Sequence, residues 1–387
     1  MYFTGIDISK FKHDCTVINE LGEQIIPAWS FTNDAEGFSK LHQMLSSLDG
    51  EIQIGFESTG HYGQNLKLFL SQNGFSFMEV NPLLISRFVH SKSLRKTKTD
   101  SIDALMIAQY MMTAEYKPYL PSLYHIDKLK SLTRFRESLV KQRSRQLVEL
   151  TNVMDKVFPE FKTFFKGRFS VTALHILSAY QTPEKIANMN VRSYESLRKL
   201  SRGRFSMSDF IQLKNLAKNT IGSASDYLID EMNILLELYG QMDSRIDQLQ
   251  SEIEECILFI NPPMLSIPGI GALSAAVILS EYGDFGKFDS PGKLLSFAGL
   301  EPGYFQSGQS ESTGHMVKHG SSQLRYALLN CCLPLVANEP IFAEYYAKKR
   351  AEGKSHRVAL THVAKKLLRV IYTLQTRNLT YDPDLIR

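Results

Sequence analysis

Between Leu228 and Ile260, ten apolar side chains recur at alternating intervals of four and three: Leu228, Met232, Leu235, Tyr239, Met242, Ile246, Leu249, Ile253, Cys256 and Ile260. An α-helix completes a turn in about 3.6 residues, so this stripe stays on one side of a single helix for more than four heptads. Such a helix is about 50 Å long and cannot bury its stripe alone. Asp127 to Val157 predicts a second long helix with a looser stripe of Leu129, Leu132, Leu139, Leu150, Val153 and Val157, ended by Pro159. The two bracket a connector over about 160–222 and read either as an antiparallel hairpin or as a dimerising coiled coil. Within the connector, FKTFFKGRFS and SRGRFSMSDF interleave aromatics with cations. That pattern suits stacking on unpaired bases, and it equally suits a small helical subdomain with a phenylalanine core.

The first 112 or so residues are patterned differently. TGIDIS reads as a strand, and HDCTVINELGEQIIPAWSFTN as two more joined by a turn around Gly22. Asp34 is placed to cap a helix over AEGFSKLHQMLSSL. EIQIGFEST then reads as a fourth strand ending on Glu57, YGQNLKLFLSQNG as a helix stopped by Gly74, and FSFMEVNP as a fifth strand closed by Pro82. After a basic stretch, TDSIDALMIAQYMM has helical spacing and begins near Asp100. Alternation of this kind predicts α/β architecture. Three antiparallel strands followed by helix, strand, helix, strand and helix is the element order of a ribonuclease-H-like sheet.

Asp7 sits in the middle of the first, apolar strand, where a carboxylate is costly unless it faces water, is paired, or coordinates something. Asp100 and Asp103 leave one helix face a turn apart, where the helix dipole alone would favour them or a divalent cation would hold them together. Glu57 closes the fourth strand. In a ribonuclease-H-like sheet the first and fourth strands are neighbours and the later helix packs over them, so Asp7, Glu57, Asp100 and Asp103 are expected to converge. Four carboxylates gathered in this way call for cations, and two Mg²⁺ ions bridged by them suit in-line phosphoryl transfer.

Charge is mild overall, at +4, but uneven. KSLRKTK, Lys92 to Lys98, holds four cations including Lys96 and Lys98 and no acid, and Lys128 to Arg145 holds seven, including Arg134 and Arg143, against Glu137 alone. Such stripes suit a polyanion or a solvated helix face. Beyond Pro262-Pro263, LSIPGIGALSAAVILSEYGDF has a helix-hairpin-helix pattern. Its PGIG turn, with Gly269 and Gly271, offers backbone N–H groups at a helix start to a nucleic-acid phosphate. No stretch approaches the ~18 continuous apolar residues of a membrane span, and no signal segment opens the chain. Cys15, Cys256, Cys331 and Cys332 lack zinc spacing and read as buried thiols of a reducing, cytoplasmic compartment.

Five motifs, in order over nearly the whole chain, make the resemblance specific: GIDISK at Gly5–Lys10, FESTGHY at Phe56–Tyr62, KTDSIDALMIA at Lys98–Ala108, IPGIG at Ile267–Gly271, and AGLEPGYFQSG with the later KHGSSQLRYAL. The chain resembles the DEDD transposases of insertion sequence family 110, the bridge-RNA-guided serine recombinases. The resemblance implies a RuvC-like catalytic domain over residues 1–118 with Asp7, Glu57, Asp100 and Asp103 as Mg²⁺ ligands (Mn²⁺ substituting). It implies a coiled-coil and helical region over 119–260, and over 261–387 a transposase domain with helix-hairpin-helix and a catalytic serine, Ser307. Implied partners are donor and target DNA, a bridge RNA pairing with both, and further copies of the chain in a dimer assembling to a tetramer, in a prokaryotic cytoplasm and on the nucleoid when DNA is bound, with no membrane. Read from its neighbours alone, Ser307 is a serine in a Ser-Gly turn, and a hydroxyl needs a base or metal beside it to attack. His315, Lys318 and His319 lie downstream in the same segment, Ser310 and Ser312 are close by, and Lys318, His319 and Arg325 read as phosphate contacts.

Three other functions share parts of this pattern. A junction-resolvase-like, metal-dependent nuclease would use the same carboxylates to activate water, with Ser307 structural. Actin-like kinases begin with a strand like GIDIS but need a second Asp-x-Gly loop and a Gly-rich adenosine motif, and neither is evident. A non-catalytic coiled-coil DNA-binding protein would need only the helical half.

Overall fold

Short-range chemistry sets the first elements. Asn19 bends the chain through a turn, its side chain accepting from Leu21 and Glu23 N–H groups. This turn joins β2 (Lys12–Asn19) to β3 (Gln24–Thr32), following β1 (Tyr2–Ile8). Asp34 accepts from the Gly37 N–H and caps α1 (Ala35–Ser46). Then come β4 (Ile52–Glu57), α2 (Gln64–Gln72), β5 (Phe77–Val80), α3 (Pro82–Lys92) and α4 (Asp100–Thr113). The five strands form one sheet in the order β3-β2-β1-β4-β5, with β1 parallel to β4, β4 parallel to β5, and the first three antiparallel. The sequence gives no separate signal for α3. Pro82 does not merely close β5; it opens this helix, since a proline fixes φ for a first turn whose N–H is unused.

The structure, a computed structural model, describes residues 1–58, 61–92, 100–119, 124–307 and 310–385, with backbone alone at 100, 101, 124, 302–307, 310–315 and 385. The chain divides into two compact units, Met1–Pro121 and Ser122–Arg387. Alternation along the strands gives the first unit two apolar layers. Ile6, Ile8, Cys15, Phe31, Ile54 and Phe56 pack under α1 and α2, beside Leu41, Leu45, Leu66 and Leu70. Phe3, Ile18, Met78 and Val80 face the other way, onto Ile107, Ala108 and Met111 of α4.

The second unit is built on two long helices, α5 (Tyr124–Val157) and α11 (Asp226–Ile260). Ion pairs from Lys128 to Glu252 (3.0 Å) and from Arg143 to Asp243 show that they run antiparallel and side by side within one chain. None of the ten stripe residues of α11 is exposed, and Leu228, Met232, Ile246 and Ile253 are fully buried. Between these helices lie α6 (Pro159–Phe164), α7 (Val171–Tyr180), α8 (Pro183–Ala187), α9 (Val191–Leu200) and α10 (Met207–Lys218). Their core contains Phe158, Phe161, Phe205 and Phe210, so in the connector these phenylalanines serve packing. Pro159 both follows the end of α5 and starts α6.

A 3-10 turn over Pro263–Ser266 leads to α12 (Ala272–Tyr282) and α13 (Pro291–Phe297). A two-stranded antiparallel hairpin follows, β6 (Pro302–Ser307) and β7 (Ser310–Met316), and then α14 (Ser322–Asn338), α15 (Pro340–Ala351) and α16 (His356–Arg377). Leu129, Ile253 and Ile257 of the long helices share one apolar core with α12, α14 and α16. Among the described residues no single helix is long and apolar enough to cross a membrane.

Candidate active site

The register of β1 against β4 pairs Gly5 with Gly55 and Ile6 with Phe56. One position further along these parallel strands come Asp7 and Glu57, at neighbouring strand ends. Residues two apart share a sheet face, so Asp7 lies on the face of Gly5 and Glu57 on that of Gly55. That face is the one α4 covers. A Cβ at Gly5 would fall 2.1 Å from the Ala104 carbonyl oxygen and 2.5 Å from the Ala108 nitrogen, and a Cβ at Gly55 2.4 Å from the Met111 sulfur. Gly5 thus lets the helix backbone press on the sheet, and Gly55 on the adjacent strand makes room for the Met111 side chain. At the other end of α4, Met112 reaches the β2–β3 turn, 3.9 Å from where a Cβ of Gly22 would be. The helix therefore runs against β1, and its first turn, with Asp100 and Asp103, points to the end of the sheet where Asp7 and Glu57 stand. Asp7, Glu57 and Asp103 are each part-exposed. Of Asp100 only the backbone is described.

In the second unit, Ser307 is the last residue of β6, paired with Ser310 across the hairpin, so the serine predicted in a turn ends a strand. Lys318 and His319 are exposed beyond β7. Arg325 lies in α14 and donates to the Ala298 carbonyl oxygen at 3.0 Å, which holds the loop before β6. Arg134, half-exposed on α5, grips Glu281 of α12 through two bonds of 2.8 and 3.1 Å, and Ser321, the cap of α14, donates to the same carboxylate at 3.0 Å. Burial alone would raise the Glu281 pKa, but Arg134, Lys130 and Ser321 together hold it below the usual carboxylate range. Arg143 engages Asp243 and stacks 5.9 Å over Tyr239. Arg134, Arg143 and Arg325 thus each have a protein partner. Gly269 has φ +95°, and a Cβ there would meet the Leu335 nitrogen of α14 at 2.8 Å, which gives it a packing role. Gly271 has open space around it and caps α12 with no side-chain bond. Lys96 and Lys98 lie outside the described residues.

Two family models match the chain: a DEDD transposase model over residues 4–159 and a model of the IS116/IS110/IS902 transposase family over residues 262–347. The chain belongs to the IS110 family of DEDD transposases. Relatives of the transposase are similar along its whole length. A 43.6 kDa protein of insertion element IS110 from Streptomyces coelicolor is 23% identical, covering 98% of this chain and 95% of its own. A 42 kDa protein of insertion element IS900 from Mycobacterium paratuberculosis is 25% identical, over 98% and 97%. The pilin gene-inverting protein of Moraxella lacunata is 24% identical, over 98% and 97%.

For this IS110-family transposase, a divalent cation is the group to test against the site. Among the described residues no three histidine, cysteine, aspartate or glutamate side chains form a metal cage. The donor chemistry nonetheless fits: Asp7 and Glu57 on one face of the sheet, and Asp103 in the first turn of the α4 helix that packs on that face, offer hard carboxylate oxygens, each residue part-exposed. One polar group in the same row escapes a reading by motif. Asp14 of β2 is registered opposite Asp7 and is 4% exposed, and it is held by the hydroxyl of Ser30, its own partner on β3. The available signal was the alternation of KHDCTVIN, which puts Lys12, Asp14 and Thr16 on one face.

Proposed function

We propose that this transposase cuts and rejoins DNA strands of an insertion sequence through attack of the Ser307 hydroxyl on a phosphodiester, with divalent cations held by Asp7, Glu57, Asp100 and Asp103. The observation that carries this reading is the placement of Asp7 and Glu57 at adjacent parallel strand ends, on the face where the first turn of α4 arrives with Asp100 and Asp103. Mg²⁺, or Mn²⁺ in its place, would supply stabilisation of charge on the phosphoryl oxygens. The serine oxygen forms a bond to phosphorus as its proton leaves. The strand oxygen departs, and the phosphoseryl ester keeps a linkage that a second strand end can exchange. Relatives named for insertion elements and for pilin gene inversion support a role in DNA rearrangement.

The remaining parts take their roles within the same reading. Residues 1–118 form the RuvC-like catalytic part, 119–260 a coiled-coil region, and 261–387 the transposase part with its helix-hairpin-helix. Gly271, uncapped at the start of α12, and the exposed Lys318 and His319 contact DNA phosphates. Lys96 and Lys98 take the same role on the strength of charge alone. A bridge RNA that pairs with donor and target DNA, and a dimer assembling to a tetramer, complete the proposal by family resemblance.

The test is incubation of the full chain with element DNA and the RNA of its flanking region, with and without Mg²⁺. A protein–DNA adduct stable to denaturant is expected from the wild type and absent from Ser307→Ala and Asp7→Asn. Cleavage that persists undiminished in Ser307→Ala, with no adduct in the wild type, would establish the water-activating nuclease instead.

A further inference from the structure

The row of polar residues across the sheet extends beyond the two strand-end carboxylates. In register, Ser30 of β3 stands opposite Asp14 of β2, and Asp14 opposite Asp7 of β1. Directly opposed residues of antiparallel strands share a face with Cβ atoms about 5 Å apart. Asp14 is therefore a neighbour of Asp7 on the side covered by α4. A buried carboxylate beside another carboxylate is unfavourable unless a cation or donors hold it. One oxygen of Asp14 receives the Ser30 hydroxyl at 2.5 Å. The other has no hydrogen-bond donor and lies 3.2 Å from the Lys12 amine. Lys12 is two residues before Asp14 on β2, hence on the same face, and its side chain is about half-exposed, at 49%. The arrangement reads outward from the interior: a serine fixes a buried aspartate, and the aspartate pairs with a lysine whose side chain is about half-exposed on the carboxylate face.

We propose that Lys12 contacts a phosphate of the bound nucleic acid beside the Asp7–Glu57 site, and that Asp14, braced by Ser30, is the positioning residue that holds the lysine there. The inference rests on the reading of Asp7 and Glu57 as the reaction site. The physical case is charge balance. A site rich in carboxylates repels the phosphate it must receive, and a cation on the same sheet face lowers that repulsion. Asp14 serves through the lysine: its buried position restricts the freedom of a flexible four-carbon side chain, which would otherwise lose entropy on binding phosphate.

The experiment uses the full chain with Lys12→Met, Lys12→Arg, Asp14→Asn, Ser30→Ala and the Lys12→Met/Asp14→Asn pair, each checked for cooperative melting. Three quantities are read: Mn²⁺ binding by electron paramagnetic resonance, anisotropy of a labelled duplex carrying the element end, and cleavage of that DNA in the presence of the flanking RNA. Lys12→Met is expected to slow cleavage about tenfold or more, with Mn²⁺ affinity unchanged and a shallower salt dependence of duplex binding. Lys12→Arg should restore most of the rate. Asp14→Asn should slow cleavage to a similar degree, and the double variant should be no slower than Lys12→Met, because both changes remove one device. Wild-type cleavage by Lys12→Met overturns the proposal, as does a tenfold loss of Mn²⁺ affinity in Asp14→Asn, which would make that residue a metal ligand. Asp7→Asn separates the two levels. Loss of Mn²⁺ binding there with full activity of Lys12→Met sinks only the lysine's role, whereas retention of binding and cleavage sinks the site itself and the inference with it.

Discussion

A missing side chain does as much for the proposed site as the acids do. At Gly5 the smallest addition, one Cβ, would stand 2.1 Å from the Ala104 carbonyl oxygen, against helix backbone that has no rotamer with which to give way. Gly5→Ala is therefore expected to lift α4 from the sheet at a cost of about 3 kcal/mol or more, measured as a drop in the denaturant midpoint, with Mn²⁺ binding weakened in parallel. A variant within about 0.5 kcal/mol of wild type would show that α4 does not rest on that strand. A second residue-scale effect belongs to Glu281, whose carboxyl is held below its usual range against the opposing pull of burial. A depressed carboxylate pKa contributes stability above its unfolded value, near 4.3, and that contribution is lost as pH falls through the lower folded value. Wild-type protein should thus lose more stability between about pH 5 and pH 3 than Glu281→Gln does. At neutral pH the variant should be less stable by about 2 kcal/mol. Parallel pH profiles for the two proteins would argue that the Arg134–Glu281 pair contributes nothing.

At the scale of elements, the stripe on α11 carries the clearest load, because its partner is α5 of the same chain. Met232 packs with the connector core and Ile253 with the C-terminal core, both fully buried. Met232→Ala and Ile253→Ala should each cost about 2–4 kcal/mol, and because the two sites are 21 residues apart on one helix, about 30 Å, their effects should add. Marked non-additivity in the melting of the double variant would contradict two separately packed ends. That stripe was legible as a helix from spacing alone, since a 4-3 repeat fits no strand, but spacing cannot say which helix covers it. The sheet order was legible because alternation and turn residues are local. By contrast, α3 was hidden by a proline that terminates and initiates equally well. The hairpin carrying Ser307 was hidden by a run of Gly, Ser and Gln with little strand preference. Asp14 was hidden for another reason: its meaning comes from register with Asp7, and register is a property of two strands.

On the scale of the whole molecule, the acids and the serine are carried by different compact units, Met1–Pro121 and Ser122–Arg387. Each unit has its own apolar cores, so the acids and the serine belong to separately packed parts of the chain. The two chemical contributions can therefore be removed one at a time without unfolding the other. Under the proposed function, Asp7→Asn and Ser307→Ala are each inactive, for unlike reasons: the first fails to bind Mn²⁺ and the second binds it normally but forms no adduct. Mixing the two purified variants then reads out how copies cooperate. Where one copy's acids act with another copy's serine, the mixture contains intact combinations and recovers part of the recombination, with adduct carried only by the Asp7→Asn chains, which a size tag on one variant reveals. Where both groups come from one copy, the mixture stays silent. Adduct on the Ser307→Ala chains would contradict the serine assignment under either arrangement, because those chains lack the hydroxyl that is proposed to take the phosphate.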